Sequence, residues 1–186
     1  MMRCPMQVPW LRRGAEFLAD RRGLSAVEFA LLLPLMLTLY LGSVEVSNGI
    51  AANRKVVITA RTVSDLAARM STITNADMTN ILGASSAVIA PYSVGSLQVT
   101  VSEVNIDANG KATVAWSDSL SGTPHSVGEI LSIPAGLTVP NTSLILGEVR
   151  YNYDPTFGYV LTGTFTLKSQ MYMTPRLSTT VTRVSS

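Results

Sequence analysis

Arg21-Arg22-Gly23-Leu24-Ser25-Ala26-Val27-Glu28-Phe29, with the apolar run that follows it to Val46, is the stretch on which the fold turns. Two arginines and a glycine stand before the run, Glu28 sits inside its start and Glu45 marks its far end. No charge occurs from Phe29 to Val44. A helix rises 1.5 Å per residue, so Leu24 to Val46 spans roughly 34 Å, enough to cross a ~30 Å hydrocarbon core with some tilt. Backbone groups in lipid must bond internally, so the run is read as a helix.

Glu28 is the costly residue, and an ionisable group in a spanning segment marks a functional position. Gly23 exposes its backbone and bends freely, so a peptidase can draw its peptide bond into an extended form. A cut after Gly23 leaves Leu24 with a new α-ammonium and Glu28 four residues on, on the same helix face. One positive and one negative charge then stand at the membrane edge, where a neighbouring chain can pair with either. The echo Arg12-Arg13-Gly14-Ala15-Glu16-Phe17 lacks this arrangement. Its Glu follows its Gly by two residues and no long apolar run comes after it.

This stretch resembles the processing site of type IV prepilins, and its form RRGLSAVEFALLLPLML looks most like the TadE/TadF pseudopilins of the tight-adherence (Flp) pilus machinery. Gly23, Glu28 and Phe29 fall on the family's cleavage glycine, fifth-position glutamate and following aromatic. The resemblance covers about residues 21–46. It implies a pilin-like α+β fold, with a long N-terminal helix followed by a small antiparallel sheet. It implies a minor pseudopilin cut by a prepilin peptidase between Gly23 and Leu24, with Glu28 setting register and Phe29 beside it in assembly. The implied partners are that peptidase, other pseudopilins and platform proteins of the bacterial inner membrane. A cofactor, a metal and an enzymatic activity are not expected.

Charge sets the orientation. Residues 1–23 hold five arginines, Arg12, Arg13, Arg21 and Arg22 among them, against Glu16 and Asp20, a net +3. The remainder carries −1. A basic segment before the first span keeps that side in the cytoplasm and sends the rest to the periplasm. Basic residues interleaved with aromatics are missing, so nucleic acid is not an expected partner. The single cysteine, Cys4, lies in the leader, so the exported part is held by packing and has no disulfide. Arg21-Arg22 matches a twin-arginine signal in two letters only. A secretory signal cut around Ser47 to Ala52 would need a shorter apolar core.

Four segments follow: a basic leader 1–23, a transmembrane helix 24–46, a periplasmic helical region 47–90 and a β-rich domain 91–186. The leader is expected to be partly helical around Ala15–Ala19. Pro34 predicts at most a kink. Val56, Ala60, Val63, Ala67 and Met70 make one apolar stripe, expected to pack on the domain's own sheet. Thr74 or Asn75 caps a second helix from about Ala76 to Ile89, with Asp77 in its first turn and Pro91 ending it. Leu97, Val99 and Val101 alternate with polar residues, Asn109-Gly110 signals a hairpin, and Ala112, Val114 and Trp116 return. Residues 117–128 read as a Ser/Gly/Pro-rich loop holding His125, an exposed histidine without local partners for metal or acid–base work. Further strands are expected over Leu144–Tyr153, over Tyr159–Lys168 with Met171–Met173 extending it, and over about Leu177–Val184. Asp154 to Gly158 reads as a turn. Tyr151, Tyr153 and Tyr159 cluster around it as packing residues.

No HExxH, phosphate-binding loop, GxSxG or Cys/His cluster occurs. Two rivals share much of the topology. One is an uncleaved bitopic protein whose periplasmic domain recruits partners of a secretion machine. The other is an exported enzyme on a signal anchor.

Overall fold

One helix, α1 (Arg22–Ala68), carries both the apolar run and the stripe beyond it. The computed structural model describes residues 22–155, 158 and 163–184. The leader's expected helix around Ala15–Ala19, turn residues Thr156 and Phe157, and strand positions 159–162 fall outside them. The chain divides after Val44 into two units.

In the first unit α1 is apolar and exposed. No residue of its most hydrophobic 18-residue window, of mean hydropathy 1.9, is buried within the protein. Leu31 is 74% exposed and Leu39 67%, a condition that suits lipid and not water. Pro34 lies inside the helix without ending it. The Thr38 hydroxyl donates to the Pro34 carbonyl (2.8 Å) and the Ser43 hydroxyl to that of Tyr40 (2.8 Å). These hydroxyls are thus satisfied within the helix, as an apolar medium requires.

In the second unit the remainder of α1 turns amphipathic. Ala52, Val56, Ala60, Val63 and Ala67 are fully buried at four-four-three-four spacing. Met70, the last residue of the expected stripe, lies past the helix end and is half-buried. The stripe joins the core with residues of β2 (Leu97–Ile106) and β4 (Thr142–Tyr153). It therefore packs on the domain's own sheet. Small residues allow a close approach. A Cβ on Gly147 of β4 would fall on the Ser64 hydroxyl and come 3.0 Å from the Ala60 carbonyl oxygen. The Ser64 hydroxyl also donates to the Ala60 carbonyl (2.8 Å).

The second helix, α2 (Asn75–Ile89), starts where its capping chemistry dictates. Thr74 is the cap. Its hydroxyl accepts from the Asp77 N–H (3.2 Å), and the Asp77 carboxylate accepts from the Thr74 N–H (3.0 Å), a reciprocal capping box. The Thr74 hydroxyl, donating to the same carboxylate (2.7 Å), and then the Thr74 N–H hold the Asp77 carboxyl below its ordinary value. Met78, Ile81, Leu82, Ser85 and Ile89 form the buried face. Lys55 of α1 donates to the Val88 carbonyl (3.1 Å) at the helix C-terminus, where a cation is favoured.

Four antiparallel strands form the main sheet, in the order β3 (Ala112–Leu120), β2, β4 and β5 (Phe165–Met173). With the helices before it, this is the expected α+β architecture. Asp107 makes the β2–β3 turn, its carboxylate accepting from the N–H groups of Asn109 (2.8 Å) and Lys111 (2.9 Å). Gly110 takes a φ of +78° there, which glycine adopts without strain. Leu97, Val99 and Val101 face the helices. At one end of the opposite face Val104, Ile106, Ala112, Leu144 and Leu146 form a second, smaller core under Leu131 and Ile133.

Three expectations are corrected. β3 runs to Leu120, so residues 117–120 are strand and not loop. Ser117 and Ser119 pair there with Ser102 and Thr100 across the ladder, and cross-strand hydroxyl bonds (2.8 and 3.1 Å) take the place of apolar packing. β5 begins at Phe165, because Gly163 sits at φ +91° and breaks the extended run. The last strand shrinks to β6 (Thr182–Arg183), which pairs in parallel with β1 (Thr72–Ile73). Residues 177–180 bend before it, and Val181 is pinned by Trp116 and Glu103 of the main sheet.

Candidate functional site

The predicted processing and assembly residues occupy the first two turns of α1. Gly23 is its second residue, and a Cβ there would meet nothing within 4 Å. The first N–H groups of a helix have no intrahelical partner, and helix ends fray readily. The Gly23–Leu24 bond therefore lies where unwinding is cheapest. Leu24 is 59% exposed and Phe29 58%, and Glu28 is exposed as well. Leu24 and Glu28 share a face by their four-residue spacing. Of the four arginines, Arg22 opens the helix, while Arg12, Arg13 and Arg21 lie outside the described residues.

Glu45 proves to be more than an end-marker of the apolar run. It is 1% exposed and its carboxylate accepts from the Gly158 N–H. Sequence spacing held no signal for this, because the two residues are far apart in the chain. Tyr151 and Tyr153 pack as expected, each 5% exposed. Their aromatic neighbour is Tyr92, edge-on at 6.2 and 6.4 Å. Tyr159 lies outside the described residues.

His125 departs from the expectation of an exposed loop residue. It sits against the outer face of the sheet, beside a cavity of about 400 Å³ lined in part by Gln98, Thr100, Gly122, Glu148 and Arg150. Its Nε2 lies 2.5 Å from Oε2 of Glu148, and its Nδ1 lies 3.2 Å from Oε1 of Glu129. Burial pulls the imidazole pKa down, but the bonds to Glu148 and Glu129 outweigh it and raise the value above the ordinary 6.5. Glu129, four residues on in the same loop, was within reach of the local sequence, although His125 was expected to have no partner there. Glu148 was not, since only the fold of the loop over β4 brings it near. Among the described residues no group of three His, Cys, Asp or Glu side chains is placed to hold a metal.

Residues 23–65, all within α1, match the sequence model of a family described as TadE-like protein. Neither a search of curated proteins nor one of solved structures finds a match to the chain.

Proposed function

We propose that this chain is a TadE-like pseudopilin: a component of a Flp-type pilus assembly machinery, held in the bacterial inner membrane by residues 24–46. The TadE-like family is a structural pilus component and not a known class of enzyme. The observation that carries the reading is the coincidence of the family match, beginning at Gly23, with an apolar helix that the protein leaves uncovered. On this reading a prepilin peptidase cuts after Gly23, residues 1–23 stay in the cytoplasm and residues 47–186 face the periplasm. Glu28 then pairs with the α-ammonium of a neighbouring pseudopilin, and inner-membrane platform proteins receive the assembly.

Intact-mass analysis of the membrane fraction tests the processing step. The expected mature chain begins at Leu24. Replacing Gly23 by a bulky residue is expected to block the cut without blocking insertion, because hydrophobicity and charge bias are unchanged. A mature protein that keeps residues 1–23, in a host with an active prepilin peptidase, overturns the processing claim and leaves an uncleaved bitopic protein.

A further inference from the structure

We propose that His125 is a protonation-operated latch, which holds the loop Ser121–His125 closed over the polar cleft on the outer face of the sheet. This inference stands independently of the pseudopilin reading, since it uses only the geometry of the second unit.

A neutral imidazole carries one N–H. Here both ring nitrogens lie within hydrogen-bond reach of a carboxylate oxygen, at 2.5 Å and 3.2 Å. With one proton, one nitrogen would point its lone pair at an anionic oxygen. The imidazolium, with two donors, is the state that fits. The second oxygens of both carboxylates have other donors. Gln170 Nε2 donates to Glu148 Oε1 (2.7 Å), and the Ser126 N–H donates to Glu129 Oε2 (3.0 Å). Both carboxylates therefore stay in place without the histidine, and the ring is the removable member.

The charged groups around it are few. Glu129 comes from the loop itself, and β4 contributes Glu148 and Arg150. β5 contributes Lys168, paired across the ladder with Arg150, and the Tyr172 phenol, which burial and the nearby Glu148 charge hold above its ordinary value. On this side β2 and β3 present uncharged side chains, among them Gln98, Thr100, Ser102, Ser117 and Ser119. The two carboxylates favour the cation, and Arg150 and Lys168 oppose it.

The loop is anchored unevenly. Its distal part is tied to β3 by backbone bonds, Gly128 N–H to the Val114 carbonyl (2.8 Å) and Val114 N–H to the Glu129 carbonyl (2.9 Å). Residues 121–125 have weaker ties. The His125 N–H donates to the Ser117 hydroxyl (3.0 Å). Ser121 sits at φ +55°, a conformation unfavourable for a residue with a Cβ. Gly122 lies so close to the sheet that a Cβ there would stand 2.7 Å from the Ser119 hydroxyl. The imidazole is thus the main side-chain tie from this segment to β4. Losing its second proton removes the charge attraction to both carboxylates and turns one ring lone pair on an anionic oxygen, which loosens the segment and opens the cleft toward Gln98, Thr100 and Arg150.

The sign follows from linkage. A histidine whose pKa is raised in the latched state holds the latch fully below its ordinary value of 6.5 and loses that contribution as pH rises through the raised value. The latch is therefore closed in mildly acidic medium and released in alkaline medium.

The chain has one histidine, so its imidazole signals need no assignment. The experiment is a nitrogen NMR titration of the full chain in detergent micelles, with hydrogen exchange at the amides of Ser121, Gly122, Thr123 and His125 corrected for intrinsic base catalysis. The expected result is a pKa above 6.5 and protection that falls across the same titration. The fall should be about tenfold for each pH unit by which that pKa exceeds 6.5. In His125→Gln the protection should be low and independent of pH. Glu129→Gln, at the more exposed carboxylate, should fold normally and lower the histidine pKa, which keeps the test usable if His125→Gln misfolds. A histidine titrating at or below 6.5 overturns the latch, as does protection at residues 121–125 that ignores the titration.

Discussion

A carboxylate at the edge of a spanning helix persists only if something outside the helix uses it. Glu28 is exposed in the first turns of α1 and shares a face with Leu24. Its use in the proposed function is to meet an α-ammonium on a neighbouring chain. Glu28→Val should insert at least as well as the unmodified chain, since a central acidic residue costs roughly 2.5–3.5 kcal/mol on insertion scales and an edge position less. Assembly should fail, because an unpaired member of a buried ion pair costs about 3–5 kcal/mol. Glu28→Gln keeps the shape and drops the charge, and should fail likewise. Membrane levels and crosslinking to the assembly complex are the measurements. Pilus assembly by Glu28→Val at the unmodified level would show that the charge sets no register. Glu45, the other carboxylate of the run, has a different use: it is buried and bonds within the second unit.

At the scale of elements, the contact between α1 and the sheet is decided by small residues. Ala60 and Ser64 on the helix meet Gly147 on β4, and the Ser64 hydroxyl also reaches the Met171 carbonyl of β5 (3.3 Å). Gly147→Ala puts a methyl against the Ala60 backbone carbonyl, which cannot rotate away. The expected loss is about 1–3 kcal/mol of stability, typical of overpacking a filled core. Denaturant unfolding of the detergent-solubilised protein measures it, and an unchanged midpoint would mean that the helix slides without cost. Gly83, in the middle of α2, makes the useful contrast. A Cβ there would meet nothing within 4 Å, so Ala at that position is expected to be tolerated.

At the largest scale, the tail after β5 closes the second unit. The Arg176 N–H bonds to the Ala68 carbonyl (2.8 Å), Ser143 donates to the Thr179 carbonyl (2.6 Å), and the Arg183 guanidinium meets Asp118 (2.8 Å). At its centre Glu103, 3% exposed, accepts from the Val181 N–H (2.7 Å). Burial raises its carboxyl pKa, only partly offset by the bonds from Val181, Ser143 and Trp116. A carboxyl with a raised folded pKa stabilises most when protonated, below its ordinary 4.5, and that contribution is lost as pH rises through the raised value. Glu103→Gln retains an acceptor for Val181 without the buried charge. It should equal or exceed the unmodified chain in stability at pH 7 and show a flatter pH profile above 4.5. Tryptophan fluorescence during urea unfolding reads both, and a less stable variant at pH 7 would show that the ionised form is the one the tail requires. The orientation has its own test. A periplasm-active reporter fused after Ser186 should be active, and activity of a cytoplasm-only reporter there would invert the proposed topology.

What the sequence determined by itself rests on local rules. The apolar run and the four-three stripe specify α1, because a helix brings residues three and four apart to one face wherever it occurs. Thr74 to Asp77 mark the start of α2 to within a residue, the cap being left between Thr74 and Asn75, and Asp107 to Gly110 specify the β2–β3 turn, because caps and turns are settled within a few residues. Alternation specified β2 and the inner face of β4. The tertiary structure alone decided what lies opposite what. Glu148 reaches His125, Gly158 reaches Glu45, and Val181 reaches Glu103 only after strand register and loop return are set. Tyr159 to Lys168 alternates well enough for a strand along its whole length, yet Gly163 at positive φ starts β5 at Phe165. Periodicity shows which face of an element is apolar. Which distant element covers that face depends on packing summed over the fold, and a short window of sequence does not contain it.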